Sequence, residues 1–186
     1  MNEFGLITDS HTVSFDCTLP GDADWVWWHM TEPEGLRAWL AEGSIEPRAG
    51  GTVKLRFQKD EALVRTNSGV TVRGVVSCFD PRRRLAFSWI DASREGSVFR
   101  NVDAPVAASC VNLNLTGGQG RTLLSLTHTG LSASVLSKVG AGWHAHLALL
   151  ANVLSEDIDG HIVSGYRDPF AHRGTYTGSL TIGMNI

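Results

Sequence analysis

Apolar residues recur on one side of a helix in the last third of the chain. Trp143, Leu147, Leu150 and Leu154 are spaced i, i+4, i+7 and i+11. This spacing places the four side chains along one stripe of an amphipathic α-helix, which we predict over about residues 139–156. A helix with one apolar stripe needs an apolar surface to pack against, and the preceding chain has to supply it.

That preceding chain alternates between apolar and polar residues, as half-buried β-strands do. In residues 52–58, for example, Val53, Leu55 and Phe57 fall on one face and polar side chains on the other. Gly, Pro and Asp residues separate the alternating segments, which is typical of an antiparallel sheet. We predict strands at residues 11–19, 44–47, 52–58, 70–79, 85–89, 111–115 and 124–128, with Gly74 at a bend or bulge, a polar hairpin tip at 59–68 and a loop at 92–104.

Two short helices are predicted between the first and second strands. Asp22 or Asp24 is placed to cap the first, because a carboxylate accepts hydrogen bonds from the amides of a first turn. The second helix is predicted to begin at Thr31 as its cap, with Pro33 in the first turn and Glu34 in the capping-box position. The element order therefore predicts an α+β fold, in which a curved antiparallel sheet of about seven strands surrounds a long C-terminal helix.

Length and charge narrow the class of protein. The 186 residues, 42% of them hydrophobic, suit one folded domain, which we assign to residues 1–156. Residues 157–186 are Gly-rich and form an extension of uncertain structure, with one predicted strand at 175–182. The net charge of −3 gives no reason to expect a nucleic acid or an anionic membrane as partner. The basic run at 82–84 is interpreted as a solvated turn.

Cysteine usage and the N-terminus favour a cytoplasmic protein. Cys17, Cys78 and Cys110 are odd in number and form neither a CxxC pair nor a zinc-ligand spacing, so we expect reduced thiols and no metal. The first residues lack the basic and apolar regions of a signal peptide, and no segment approaches the ~20 apolar residues of a membrane span.

Four segments, in order, resemble a known family. They are residues 28–39 (WHMTEPEGLRAW), 74–85 (GVVSCFDPRRRL), 126–131 (LTHTGL) and 142–143 (GW). Together they are similar to the bacterial family named for homology to the activator of the heat-shock protein 90 ATPase. That family is part of the START-related helix-grip (SRPBCC) superfamily. The resemblance covers about residues 10–156 and implies a seven-stranded sheet wrapped around the C-terminal helix, with a ligand cavity between them.

Histidines are the candidate polar residues on the inner face. Strand alternation places His128 beside Leu126, facing the helix, where it would either form a structural hydrogen bond, contact a ligand or act as a base. His146 shares a side of the helix with Trp143, whereas His144 points about 200° away, so the two cannot chelate one metal. His29, on the first short helix, is a further candidate whose direction the pattern does not give.

Aromatic residues are numerous for this length, with six tryptophans. Most must be core, and some suit the wall of a pocket for a ring-containing ligand. Their indole N–H groups need partners, which a ligand or a water in the cavity could supply. The predicted ligand-binding residues are Trp39, Phe57, Val76, Phe87, Trp89, Leu113, Leu126, His128, Trp143, His146, Leu147 and Leu150.

Three functions fit these patterns. The first is non-catalytic binding of a hydrophobic small molecule, with no cofactor. The second is a cyclase or hydratase in which His128 and His146 exchange protons with a carbonyl compound. The third, by family name only, is a co-chaperone-like interaction protein. Homodimerisation is also considered, because an edge strand is available for pairing.

Overall fold

Over the residues that the structure describes, eight strands and three helices build the fold. In this computed structural model, residues 6–9, 11–57, 70–92, 109–118 and 120–158 are described. The strands are β1 (Leu6–Asp9), β2 (Thr12–Pro20), β3 (Glu42–Ile45), β4 (Thr52–Arg56), β5 (Thr71–Asp80), β6 (Arg84–Asp91), β7 (Ser109–Gly118) and β8 (Arg121–Thr129). The helices are α1 (Ala23–Thr31), α2 (Pro33–Trp39) and α3 (Leu136–Ile158).

The strands form one antiparallel sheet in the order β1-β2-β8-β7-β6-β5-β4-β3. β2 pairs with β8, although α1, α2 and the meander from β3 to β7 come between them in the chain. The predicted helix-grip fold, with two short helices after the first long strand and a long C-terminal helix, is confirmed. β1 is an addition to it: this four-residue strand pairs with β2 and is too short for its alternation to be recognised.

The apolar face of the sheet and the apolar stripe of α3 share one core. From the sheet come Phe15, Leu55, Phe87 and Leu126, each at most 7% exposed. From α3 come the four residues of the predicted stripe, all at most 6% exposed: Trp143, Leu147, Leu150 and Leu154. Because β-strand side chains alternate, the same strands present polar residues on the outer face of the sheet.

Only Glu32 separates the two short helices. Asp22 caps α1 by accepting from the Trp25 amide at 3.2 Å. The predicted cap of α2 is wrong, because Thr31 is the last residue of α1 and its hydroxyl donates to the Trp27 carbonyl. Glu32 is instead the N-cap, without a side-chain bond, and Pro33 opens the helix. Pro33 fits there because the first-turn amide it lacks would have no partner within the helix.

Some helix and strand boundaries differ from the predicted ones. α3 begins at Leu136, almost one turn earlier than expected, and β3 lies at Glu42–Ile45. The irregularity of β5 lies between Val76 and Cys78. Gly74 marks a close approach, since a side chain there would collide with the Ser88 carbonyl of β6.

The basic run lies at the β5–β6 turn, as predicted, with all three side chains exposed. Arg82 adopts a positive φ of 67° and forms an ion pair with Asp24 of α1 at 3.3 Å.

Parts of the prediction lie outside the described residues. They are the hairpin tip at 59–68, nearly all of the loop at 92–104 and the strand at 175–182. The division into residues 1–156 and 157–186 therefore stays a prediction. None of the helices within the described ranges is long and apolar enough to cross a lipid bilayer.

Candidate functional site

The predicted site residues come together between the sheet and the helices. Ten of the twelve are buried, at most 6% exposed: Trp39, Phe57, Val76, Phe87, Leu113, Leu126, His128, Trp143, Leu147 and Leu150. The other two, Trp89 on β6 and His146 on α3, are half-buried. The inner face is therefore closed along most of its length and partly accessible near these two rings.

A directed chain of hydrogen bonds crosses the closed part, and we call it the relay. The Trp143 indole N–H donates to Nδ1 of His128 at 3.0 Å. Because Nδ1 accepts, the neutral ring carries its proton on Nε2, which donates to the Ser109 hydroxyl at 2.8 Å. Ser109 in turn donates to the Trp89 carbonyl at 3.1 Å. Each polar group of the relay, from Trp143 to the Trp89 carbonyl, thus has a protein partner.

The relay holds His128 in its neutral form. Burial lowers the pKa of His128 to about 4, because the charged imidazolium would lose its hydration inside the apolar core. Protonation would also remove the lone pair on Nδ1 that accepts from Trp143. Of the three readings of His128, the structure supports the structural hydrogen bond, because both ring nitrogens are already used.

The half-buried part is lined by three rings, which we call the rim cluster: Phe57, Trp89 and His146. The centroid of the Phe57 ring lies 5.7 Å from that of Trp89 and 5.8 Å from that of His146. Trp89 also contacts the relay, with centroid distances of 5.4 Å to His128 and 5.5 Å to Trp143. The rim cluster therefore continues the aromatic lining of the core toward solvent.

His146 is oriented by the end of α2. Its Nδ1 lies 2.7 Å from the Trp39 carbonyl, and because a carbonyl only accepts, Nδ1 carries the proton. Trp39 is the last residue of α2, where carbonyls have no partner within the helix. Burial lowers the pKa of His146, while its hydrogen bond to Trp39 opposes this shift. Among the described residues, no group donates to the lone pair that the neutral ring keeps on Nε2.

The other candidate side chains take different places. The Trp39 indole donates to the His29 carbonyl at 2.9 Å, so neither it nor Trp143 relies on a ligand or water for a partner. His144 is exposed, as expected. His29 is buried in α1, with ring centroids 4.4 Å from Trp25 and 4.9 Å from Trp28. Burial lowers the pKa of His29 as well.

Ser109 is the residue that our sequence prediction missed. It continues the inward alternation of Val111, Leu113 and Leu115 by one step toward the N-terminus, which is the signal that could have found it. Over the described ranges, no group of three or more His, Cys, Asp or Glu residues is placed to hold a metal ion.

An α+β helix-grip protein with an aromatic inner face is thus the class that fold and site define. The family model described as "Activator of Hsp90 ATPase homolog 1-like protein" matches residues 21–155, which is more than half of the chain. The chain belongs to this family. No curated protein matches its sequence.

Solved structures share the fold. DynU16, a protein of the dynemicin biosynthetic locus, is 22% identical with a TM-score of 0.63; the alignment covers 80% of this chain but only 49% of DynU16, so this chain spans about half its length. CalU16 from Micromonospora echinospora is 26% identical with a TM-score of 0.57, over 80% of this chain and 78% of CalU16. A Bordetella parapertussis protein is 24% identical with a TM-score of 0.60, over 90% of this chain and 94% of that protein.

Proposed function

We propose that this protein binds a hydrophobic small molecule between the inner face of the sheet and α3. The observation that carries the proposal is the rim cluster, in which two half-buried rings, Trp89 and His146, flank the buried Phe57. Flat aromatic walls with few polar groups are typical of sites for apolar ligands. The ligand would rest on the rim cluster, with the deeper predicted residues forming the wall behind it.

Membership of the family supports a ligand-binding role, because the helix-grip fold brings a sheet face and a helix together around one interior. Among the structural relatives, DynU16 belongs to a biosynthetic locus, which is compatible with handling of a small molecule in this fold. We propose further that the protein works in the cytoplasm and without a cofactor. Homodimerisation through an edge strand stays a prediction from the sequence.

The enzyme alternative finds less support in the geometry. That alternative requires both His128 and His146 to exchange protons with the substrate, and each ring then needs an unused nitrogen within reach of it. Both ring nitrogens of His128 are engaged in the relay, and its pKa is lowered to about 4. Two rings of the rim cluster also lie between His128 and His146 along the chain of ring contacts. A co-chaperone-like role rests on the family name alone.

Binding can be tested with N-phenyl-1-naphthylamine, a neutral probe whose fluorescence rises in apolar surroundings. We expect saturable binding to the wild type and about tenfold weaker binding to Trp89→Leu, because the substitution removes one ring wall. Val75→Ala is the matched control, since Val75 lies on the outer face at 52% exposure and should leave the affinity unchanged. Absence of saturable binding, or equal loss in both variants, would contradict the proposal.

A further inference from the structure

We infer that the rim cluster selects neutral ring compounds that present a hydroxyl or N–H donor, and that His146 is the residue that recognises this donor. The inference rests on the proposed function, because it specifies the ligand of the same site. It follows from three features of the described residues: the fixed tautomer of His146, the rings beside it, and the absence of charge in the surrounding core.

The tautomer of His146 is set by the fold. Its Nδ1–H donates to the carbonyl that ends α2, so Nε2 is the deprotonated nitrogen of the neutral ring. Among the described residues, no protein group donates to Nε2, and the side chain is half-buried. A ligand that covers this ring must therefore supply a donor to Nε2. Otherwise it removes the lone pair from water without replacing the lost hydrogen bond.

The neighbouring rings determine the shape of the partner. Phe57 meets His146 at an interplanar angle of 61° and Trp89 at an angle of 46°. A planar ring can pack against these faces while a substituent on its edge reaches Nε2. Aromatic contacts of this kind favour offset or edge-to-face packing. A hydroxyl on an aromatic ring meets both requirements.

Among the described residues, the core offers no charged partner to an anion. The buried polar residues among those described are His29, Thr31, Ser109, Thr122 and His128, with no Lys, Arg, Asp or Glu. A carboxylate placed at the rim would meet the lone pair of Nε2 and would lose hydration, and among the described residues no buried Lys or Arg is present to compensate for that loss. The site should therefore reject the acid that corresponds to each phenol it accepts.

Three naphthalene probes separate these requirements. They are 2-naphthol, which donates a hydrogen bond, 2-methoxynaphthalene, which does not, and 2-naphthoate, which is anionic. Each is titrated as a competitor of bound N-phenyl-1-naphthylamine at pH 7. We expect 2-naphthol to bind at least about tenfold more tightly than the methyl ether, and 2-naphthoate more weakly than both.

Variants assign the preference to one nitrogen. In His146→Asn the amide nitrogen replaces Nδ1 and keeps the bond to the Trp39 carbonyl, but nothing replaces Nε2. The preference for 2-naphthol should therefore fall to less than about twofold in this variant. His144→Asn, on the exposed side of α3, is the matched control and should keep the full preference.

A second readout needs no variant. In the ring ¹⁵N spectrum of the wild type, Nε2 of His146 should resonate as a deprotonated nitrogen and shift on addition of 2-naphthol, but not of the methyl ether. Equal affinities of the two probes, or an unchanged preference in His146→Asn, would overturn the inference and leave the proposed function standing. Failure of every probe to bind would overturn both.

Discussion

His128 and His146 lie on the same inner face but differ in what their nitrogens contact. His128 accepts from Trp143 and donates to Ser109, so both its nitrogens serve the protein. His146 donates to the end of α2 through Nδ1, and no group among the described residues donates to its Nε2. The difference shows that an inward-facing histidine is available for chemistry only to the extent that the surrounding fold leaves a nitrogen unused.

The comparison predicts first that the two histidines contribute different amounts to the free energy of unfolding. His128→Ala should lower the free energy of unfolding by about 3–5 kcal/mol, because it leaves a cavity and an unpaired indole N–H in the core. His146→Ala should cost only about 1 kcal/mol, since its side chain is half-buried. Urea denaturation of both variants measures the difference, and equal losses would contradict the structural role of the relay.

The second prediction is that acid destabilises the folded protein through His128. Burial lowers the pKa of folded His128 to about 4, whereas an unfolded histidine titrates near 6.5. Between these values the unfolded state binds more protons, so stability falls as the pH drops from about 6.5 to 4. The contribution of His128 amounts to about 3 kcal/mol at the lower end.

His29 and His146, whose pKa values are also lowered, act in the same direction. A His128→Gln variant isolates the contribution of His128, because this variant should lose about that much of the pH dependence in urea titrations at pH 7 and pH 4. An identical pH profile in the variant and the wild type would show that His128 is not held neutral.

Ser109→Ala should have a smaller effect. It removes the acceptor of the His128 Nε2–H without opening a large cavity, which we expect to cost about 1–2 kcal/mol. Ser77→Ala, an exposed position on β5, is the control and should change stability by less than about 0.5 kcal/mol. Binding of N-phenyl-1-naphthylamine should be the same in both variants. Loss of binding in Ser109→Ala would indicate that the probe contacts the relay and not the rim cluster alone.

The smallest effect on stability is expected for two substitutions of His146, by Asn and by Phe. Asn keeps the donor to the Trp39 carbonyl and should leave stability within about 0.5 kcal/mol of the wild type, whereas Phe removes that donor and should cost about 1 kcal/mol. Thermal unfolding compares the two. If Asn were as destabilising as Phe, the bond between α3 and the end of α2 would not orient this residue.

Periodicity was sufficient to predict the fold. Alternation in the strands and the stripe on α3 follow directly from burial on one face, so the inward residues could be identified before their neighbours were known. Caps and short elements were harder, because Thr31 and Glu32 both suit a helix boundary and β1 has only four residues. At such boundaries, tertiary contacts decide between local alternatives of similar energy.

The site was only partly predictable for a related reason. Alternation gives the face on which His128 lies, but its partners Ser109 and Trp143 come from another strand and from the helix. The same holds for His146, whose tautomer depends on a carbonyl 107 positions away in the chain. Side-chain direction is a local property, whereas the state of a titratable group depends on long-range pairing.

The most direct test of the central claim is a ¹H–¹⁵N spectrum of the indole and imidazole groups recorded with and without N-phenyl-1-naphthylamine. If the rim cluster is the binding site, the largest shifts will occur at Trp89 and His146, while the hydrogen-bonded indole of Trp39 keeps its position. Largest shifts at Trp143 and His128, or none along the inner face, would contradict the division between a structural relay and a ligand-binding rim.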